Sequence, residues 1–295
     1  MVSKTIDVGS IPTTPANEFI AVLIDSRLFF IFVTIMFDII TSEEFRNVII
    51  DSFDTSEPIL KLEHFYGKRG NIVKKCIVLL SREIFSYIQT NYKLEQIGLI
   101  GGSSYKIPIY AFEHNGEKIG IYLSPMGSVL CGGNIIECSH ITGADKFVMF
   151  GSCGSLDKNV TTGKFIIPTE AYRDEGLSYH YMKPSDFVSI KNARKVEQIF
   201  SKYKIPFVKG KVWTTDAPLM ETVNLVKRRK EEGCIGVEME LAACQAITNY
   251  YKLDLYNFLQ PGDVLMKDCY DKSLLHNANH DLVKLEIGLR IIEEI

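Results

Sequence analysis

The hydrophobic pattern of the chain changes period repeatedly, and each change marks an element. Short, nearly unbroken apolar runs at Lys75-Cys-Ile-Val-Leu-Leu80, Phe147–Phe150 and Leu255–Leu259 have the length and composition of strands buried on both faces. Further strands are expected at Ile97–Ile100, Ile107–Glu113, Lys118–Ser124, Gly163–Pro168 and Phe207–Trp213, with a short one from Cys234. Asn115-Gly116 joins two of these as a two-residue hairpin turn. Helices are predicted from an N-cap at Ser81 to near Tyr92, from Cys131-Gly132-Gly133 to about Thr142, and over Ile190–Tyr203, Glu221–Glu232 and Glu240–Tyr251. Asn277 to Ile295 also has helical periodicity. Strands alternating with helices, plus a hairpin, predict a single α/β domain with a central mixed β-sheet flanked by helices on both faces.

One stretch differs in character. Phe19 to Ile40 is strongly apolar, but Asp25, Arg27 and Asp38 break it short of the ~20 residues a membrane span needs. It lacks the basic cluster and small-residue cleavage site of a signal peptide. A buried or interface segment is one reading; an upstream extension, with Met36 as the working start, is the one adopted. Residues 1–57 are therefore set apart from a domain over 58–295.

Charge and cysteine usage exclude several function classes. The 33 basic and 36 acidic side chains are well mixed, which gives no footprint for nucleic acid or an anionic membrane. The one basic run, Lys227 to Lys230, is followed by Glu231-Glu232 and reads as a solvated helix face. The seven cysteines show no CxxC pair and no metal-like Cys/His spacing, which points to a reducing, cytoplasmic setting without structural zinc.

The chemistry concentrates at Cys234-Ile-Gly-Val-Glu-Met-Glu-Leu-Ala-Ala-Cys-Gln-Ala-Ile247. Small and apolar residues surround the helix from Glu240, so Glu238 and Glu240 enter a buried environment with no obvious cation nearby in sequence. One reading makes either residue only a cap on the helix N-terminus, whose dipole favours anions. A vicinal diol is the alternative partner, because two hydroxyl donors match the two oxygens of one carboxylate, with Met239 against an apolar sugar face.

Val237-Glu-Met-Glu-Leu-Ala-Ala243 resembles the signature of the nucleoside phosphorylase superfamily, which includes purine nucleoside and uridine phosphorylases and related nucleosidases. Two further motifs extend the resemblance to roughly Pro58 through the C-terminus. Gly151-Ser152-Cys153-Gly154, read as a glycine-rich turn at a strand end, is similar to the family's phosphate and base turn. Asp263, in a turn Gln260-Pro-Gly-Asp263, matches the family's purine N7 acid; as residues alone, an Asp in a Pro-Gly-Asp turn is also common. Gly127 stands where a glycine loop borders phosphate.

The resemblance implies that Glu240, Met239 and Glu238 hold ribose, that Gly127, Gly151 and Ser152 hold phosphate, that Cys153 and Gly154 border the base, and that Asp263 is the catalytic acid. It implies a nucleoside phosphorylase, narrowly purine over uridine, acting as a homo-oligomer on nucleoside and phosphate with no cofactor and no metal. Departures leave alternatives open. Ser81-Arg82-Glu83 replaces the family's Gly-Asp-x-x-Arg loop, and Met149 stands where many phosphorylases have arginine. Pro218 replaces a stacking aromatic, and Thr222 and Asn224 replace the uracil clamp. Arg82 or Arg173 is a candidate for the missing phosphate charge, Glu83 for orienting a water, and His180 for the pocket rim. A phosphate-independent nucleosidase and a non-catalytic nucleoside-binding or storage protein are the other readings.

Overall fold

In a computed structural model of the protein, residues 52–266 and 269–295 are described. The apolar run, the candidate start at Met36 and most of the expected extension lie outside them. Among the described residues eleven strands form one mixed sheet: β1 Lys75–Leu79, β2 Glu95–Gly101, β3 Lys106–His114, β4 Glu117–Leu123, β5 Lys146–Ser155, β6 Phe165–Asp174, β7 Phe187–Ser189, β8 Phe207–Thr215, β9 Cys234–Glu238, β10 Asp254–Met266 and β11 Cys269–Asp271. The helices longer than one turn are α1 Arg82–Asn91, α2 Ser128–Thr142, α3 Ala193–Lys202, α4 Val223–Glu231, α5 Leu241–Tyr250, α6 Leu275–His280 and α7 Val283–Glu294. None of the described helices is long and apolar enough to cross a membrane.

β5 organises the sheet. Its first half, Lys146–Phe150, pairs in parallel with β1, and its last two residues, Gly154 and Ser155, pair with β9 on the same side. Its other edge is taken by β10 along its whole length. Pairings β10–β6, β6–β8 and β8–β9 then close five strands into a ring. From β5 the strands β1, β4, β3 and β2 spread as an open wing.

The alternation of side chains along the central strands feeds two cores. Cys76 and Val78 of β1, and Phe147 and Met149 of β5, face Cys131, Ile135 and Cys138 of α2 and Leu241, Ala242 and Cys244 of α5. Their neighbours Ile77, Leu79, Val148 and Phe150 face Ile84 and Ile88 of α1, Val196 and Phe200 of α3 and Ile291 of α7. Both faces are thus covered by helices, as the near-continuous apolar runs require. Cys76, Cys131, Cys138, Cys153, Cys234 and Cys244 are free and buried. Burial pushes the Cys76 and Cys153 thiols up.

Local chemistry accounts for several boundaries. Ser81 accepts from the Ile84 amide at 3.2 Å and caps α1. Asn115 and Gly116 take φ of 49° and 80°, the left-handed pair a type I′ hairpin needs. Three expectations are corrected. α2 begins at Ser128, three residues before Cys131, because Gly127 at φ 97° ends the preceding loop; Gly132 instead lets the helix approach, since a Cβ there would lie 3.0 Å from Leu177 and 3.4 Å from Ile247. Neither glycine-rich segment is a turn: Gly151–Gly154 and Gln260–Asp263 both continue as strands, held by each other across the β5–β10 ladder. A register shift between Pro261 and Asp263 absorbs Gly262 as a bulge, the place in a sheet where proline is tolerated. The C-terminal helical stretch is two helices, with Asp281 accepting from the Val283 amide at 3.0 Å where α7 begins.

Candidate functional site

Between Phe150, the last residue of β5 paired with β1, and Gly154, the first paired with β9, that edge of β5 has no strand partner among the described residues. Gly151, Ser152 and Cys153 lie in this gap and floor a cleft of about 1870 Å³. The backbone groups expected from a turn are offered by an open strand edge instead. Its walls follow from the registers. Leu79 pairs with both Phe150 and Leu123, so the segments after β1 and β4, Ser81-Arg82 and Ser124-Pro125-Met126, stand beside the gap. Gly154 pairs with Val237 on one side and Asp263 on the other, which brings the Glu-Met-Glu segment and Asp263 to the same floor. All of Glu238, Met239, Glu240 and Asp263 line the cleft.

The two glutamates divide their work. One oxygen of Glu238 accepts from the Thr214 hydroxyl, and the other accepts from the amides of Glu240 at 2.8 Å and Leu241 at 2.7 Å. It is the anion at the N-terminus of α5 and is occupied by the protein's own donors. This departs from the expectation that Glu238 joins Glu240 on a sugar. Among the described residues one direct hydrogen bond reaches Glu240, from the Gly127 amide to Oε1 at 2.7 Å, and the Gly127 and Met239 amides both favour its charged form. No donor among the described residues reaches Oε2. Gly127 is accordingly spent on positioning Glu240 and does not line the cleft, a second departure, since it was expected to face phosphate. Burial pushes both carboxyls above the ordinary glutamate range, and Glu240 adds to the rise of Glu238. Met239, half-buried, is fixed by its carbonyl, which accepts from Ser128 Oγ at 2.8 Å.

On the opposite edge of β5, burial pushes the Asp263 carboxyl up, and a hydrogen bond from the Tyr270 hydroxyl partly offsets this. Glu221, from the loop before α4, lines the same cleft and is pushed up to about 7 by burial and by the Asp263 charge. Two carboxyls here favour retention of a proton. Met149, buried at 1% exposure, packs its sulfur against the Cys131 thiol at 3.7 Å and stays out of the cleft.

Cations and polar groups also line the cleft. Ser81 and Arg82 at the N-terminus of α1, and Lys284 of α7, line the cleft. Lys284 is buried, donates to the carbonyls of Ala278 and Asn279, and is pulled down to about 8 by burial. Asn279 in turn accepts from the Ser152 hydroxyl. Arg173 is elsewhere: its guanidinium donates to Ser178 at 2.8 Å and to the carbonyls of Lys183 and Ser185 at 3.0 Å, so it shapes the loop and supplies no charge to the cleft. His180 is exposed and lines a separate surface depression with Tyr181 and Tyr250. Glu83 does not line the cleft; Pro218 and Asn224 do.

Glu221, Tyr270, Asn279 and Lys284 were missed in the sequence. Glu221 stands in a loop, Tyr270 in the short strand β11, and Asn279 and Lys284 in helices, all with ordinary local patterns, and only the tertiary fold brings them to the cleft. The Thr214 partner of Glu238 had a faint signal, a hydroxyl run at the end of an apolar strand.

A family profile described as Phosphorylase superfamily matches residues 88–285. Among similar proteins, a DeoD-type purine nucleoside phosphorylase of Buchnera aphidicola subsp. Schizaphis graminum is 21% identical over 210 residues, covering 70% of this chain and 88% of the relative. A 5'-methylthioadenosine/S-adenosylhomocysteine nucleosidase of the same organism is 28% identical over 177 residues, 56% of this chain and 72% of the relative. Of solved structures, futalosine hydrolase of Helicobacter pylori strain 26695 superposes with a TM-score of 0.59 at 13% identity, covering 76% of this chain and 99% of that one. Helicobacter pylori MTAN gives 0.59 at 16%, covering 75% and 100%. These two likenesses concern the fold.

Proposed function

The chain belongs to the phosphorylase superfamily, and from that premise we propose that it cleaves the N-glycosidic bond of a purine nucleoside with inorganic phosphate, in the cytoplasm and as a homo-oligomer. The observation that carries this reading is the placement of Glu240, with one carboxylate oxygen that no described donor reaches, and Asp263, with a raised carboxyl, in one cleft floored by the strand-edge gap.

Glu240 Oε2 accepts the ribose hydroxyls, and Met239 lies against the sugar. The base extends towards Cys153 and Gly154. Asp263, protonated, gives its proton to the base nitrogen as the glycosidic bond breaks and its electron pair passes to the base. Phosphate sits at Ser152, Arg82 and the α1 N-terminus. Its charge stabilises the oxocarbenium-like sugar, and one of its oxygens forms the new bond to C1′. The products are free base and (deoxy)ribose 1-phosphate. No step calls for a metal or organic cofactor.

Hydrolysis is the second reading, favoured by the absence of charge at Met149 and the engagement of Arg173 elsewhere. One experiment separates the two: release of base from inosine, adenosine, uridine and methylthioadenosine, with and without phosphate, by wild type and Glu240→Ala. Phosphate-dependent release of a purine, lost in the variant, is the expected outcome. Release indifferent to phosphate favours hydrolysis, and no release from any nucleoside overturns catalysis. Arg82→Gln should raise the KM for phosphate at least about tenfold while leaving nucleoside KM near wild type; an unchanged phosphate KM removes Arg82 from the site.

A further inference from the structure

One cluster of ligating side chains is unused by this chemistry. Glu83 in the first turn of α1, and His276 and His280 one turn apart on α6, bring a carboxylate oxygen and two imidazole nitrogens within 4.8 Å of one another. The two rings stand at a 67° angle with centroids 4.9 Å apart. Glu83 Oε1 faces His280 Nε2 at 3.6 Å, outside direct hydrogen-bond range. On the far side of that ring, Ser81 Oγ lies 2.9 Å from Nδ1. With the Nδ1 proton given to Ser81, Nε2 presents a lone pair towards a carboxylate oxygen. Two electron-rich atoms facing each other are satisfied by a cation between them.

We propose that Glu83, His276 and His280 bind a zinc-class divalent metal ion. Two imidazoles and one carboxylate suit such an ion, with water completing a tetrahedral set. Metal–ligand distances of ~2.0–2.2 Å bring the ligand atoms closer together than they now stand. Glu83 and His276 are exposed, so side-chain rotation alone closes the set. Ser81 supplies the outer hydrogen bond that fixes the orientation of a ligating histidine. The spacing His276-x-x-x-His280 puts both rings on one helix face.

The ion would lie in the wall of the cleft and not at the reacting bond, since His280 lines the cleft while Glu83 and His276 do not. It ties α6 to the N-terminus of α1. Asn279, adjacent to His280 and bonded to Ser152, is then held in place. The role is a clamp on the wall that carries Ser152, independent of which reaction the cleft performs.

The test titrates Co²⁺ and Zn²⁺ into chelator-treated full-length protein, following cobalt absorption and calorimetric heat, for wild type, His276→Ala and Glu83→Gln. Wild type is expected to bind one ion per chain with the intense visible bands of tetrahedral cobalt. His276→Ala should weaken binding by at least about 10–100-fold, the loss seen for weaker outer partners. Both substitutions are on exposed side chains, so metal-free melting temperatures should match wild type and report intact folds. No binding by wild type, or equal binding by wild type and His276→Ala, overturns the proposal.

Discussion

Asp263→Asn is the sharpest perturbation of the reading given above. Asn keeps the shape of the side chain, and the partners of Asp263 are a hydroxyl and backbone, so the strand bulge and its pairing with Gly154 should survive. What is lost is the proton that burial helps the carboxyl to retain. General-acid help is worth ~10²–10⁴-fold, or about 3–5 kcal/mol at 1.36 kcal/mol per tenfold. Base release from a purine nucleoside should fall by that factor in kcat. A riboside with a nitrophenol leaving group departs as a stable anion and needs no proton, so its kcat should change less than about tenfold. The pH profile gives a second readout. Wild-type activity should decline on the basic side as Asp263 loses its proton, above the usual aspartate range, and the Asn variant should lack that limb. Equal losses on both substrates would refute the acid role, because a general distortion of the cleft does not distinguish leaving groups.

Other outcomes follow from the same geometry. Glu221 is raised in the folded state from 4.5 to about 7, so its contribution to stability is present below the unfolded value and lost as pH rises through 7. The shift corresponds to ~3 kcal/mol, reduced by partial exposure to about 1–2 kcal/mol, so Glu221→Gln should be more stable than wild type by that amount at pH 8 and equal to it at pH 4 in urea melts. Gly262→Ala would place a Cβ 2.8 Å from Ala278 and 3.2 Å from the Leu275 backbone. Displacing α6 in this way should cost about 1–3 kcal/mol in chemical denaturation and reduce activity through Asn279.

Where sequence reading succeeded, the local signal and the tertiary structure agreed. Ser81 before an apolar helix face and Asn115-Gly116 between alternating strands each specify their geometry within a few residues. The Glu-Met-Glu segment was legible because two acids at the start of an apolar helix are costly without partners. The strand ends were not legible. Gly151–Gly154 and Pro261-Gly262 carry breaker residues, and their extended state is imposed by the ladder between β5 and β10, over 100 residues apart in sequence. The division between Glu238 and Glu240 was equally hidden, since it depends on Thr214 and Gly127 reaching one carboxylate each. His276 and His280 escaped because their ligating partner lies on another helix.

The six buried thiols among the described residues have a practical consequence. A small alkylating reagent reaches them only when the surrounding structure opens, so each labelling rate times a local breathing motion. Cys76 and Cys138, with sulfurs 3.6 Å apart between β1 and α2, would clock separation of that helix from the sheet. Cys153, on the cleft floor, would clock exposure of the strand-edge gap, and a bound ligand should slow its labelling while leaving the other pair unchanged. The protein thus carries its own set of stopwatches, one of which runs at the place where substrate would sit.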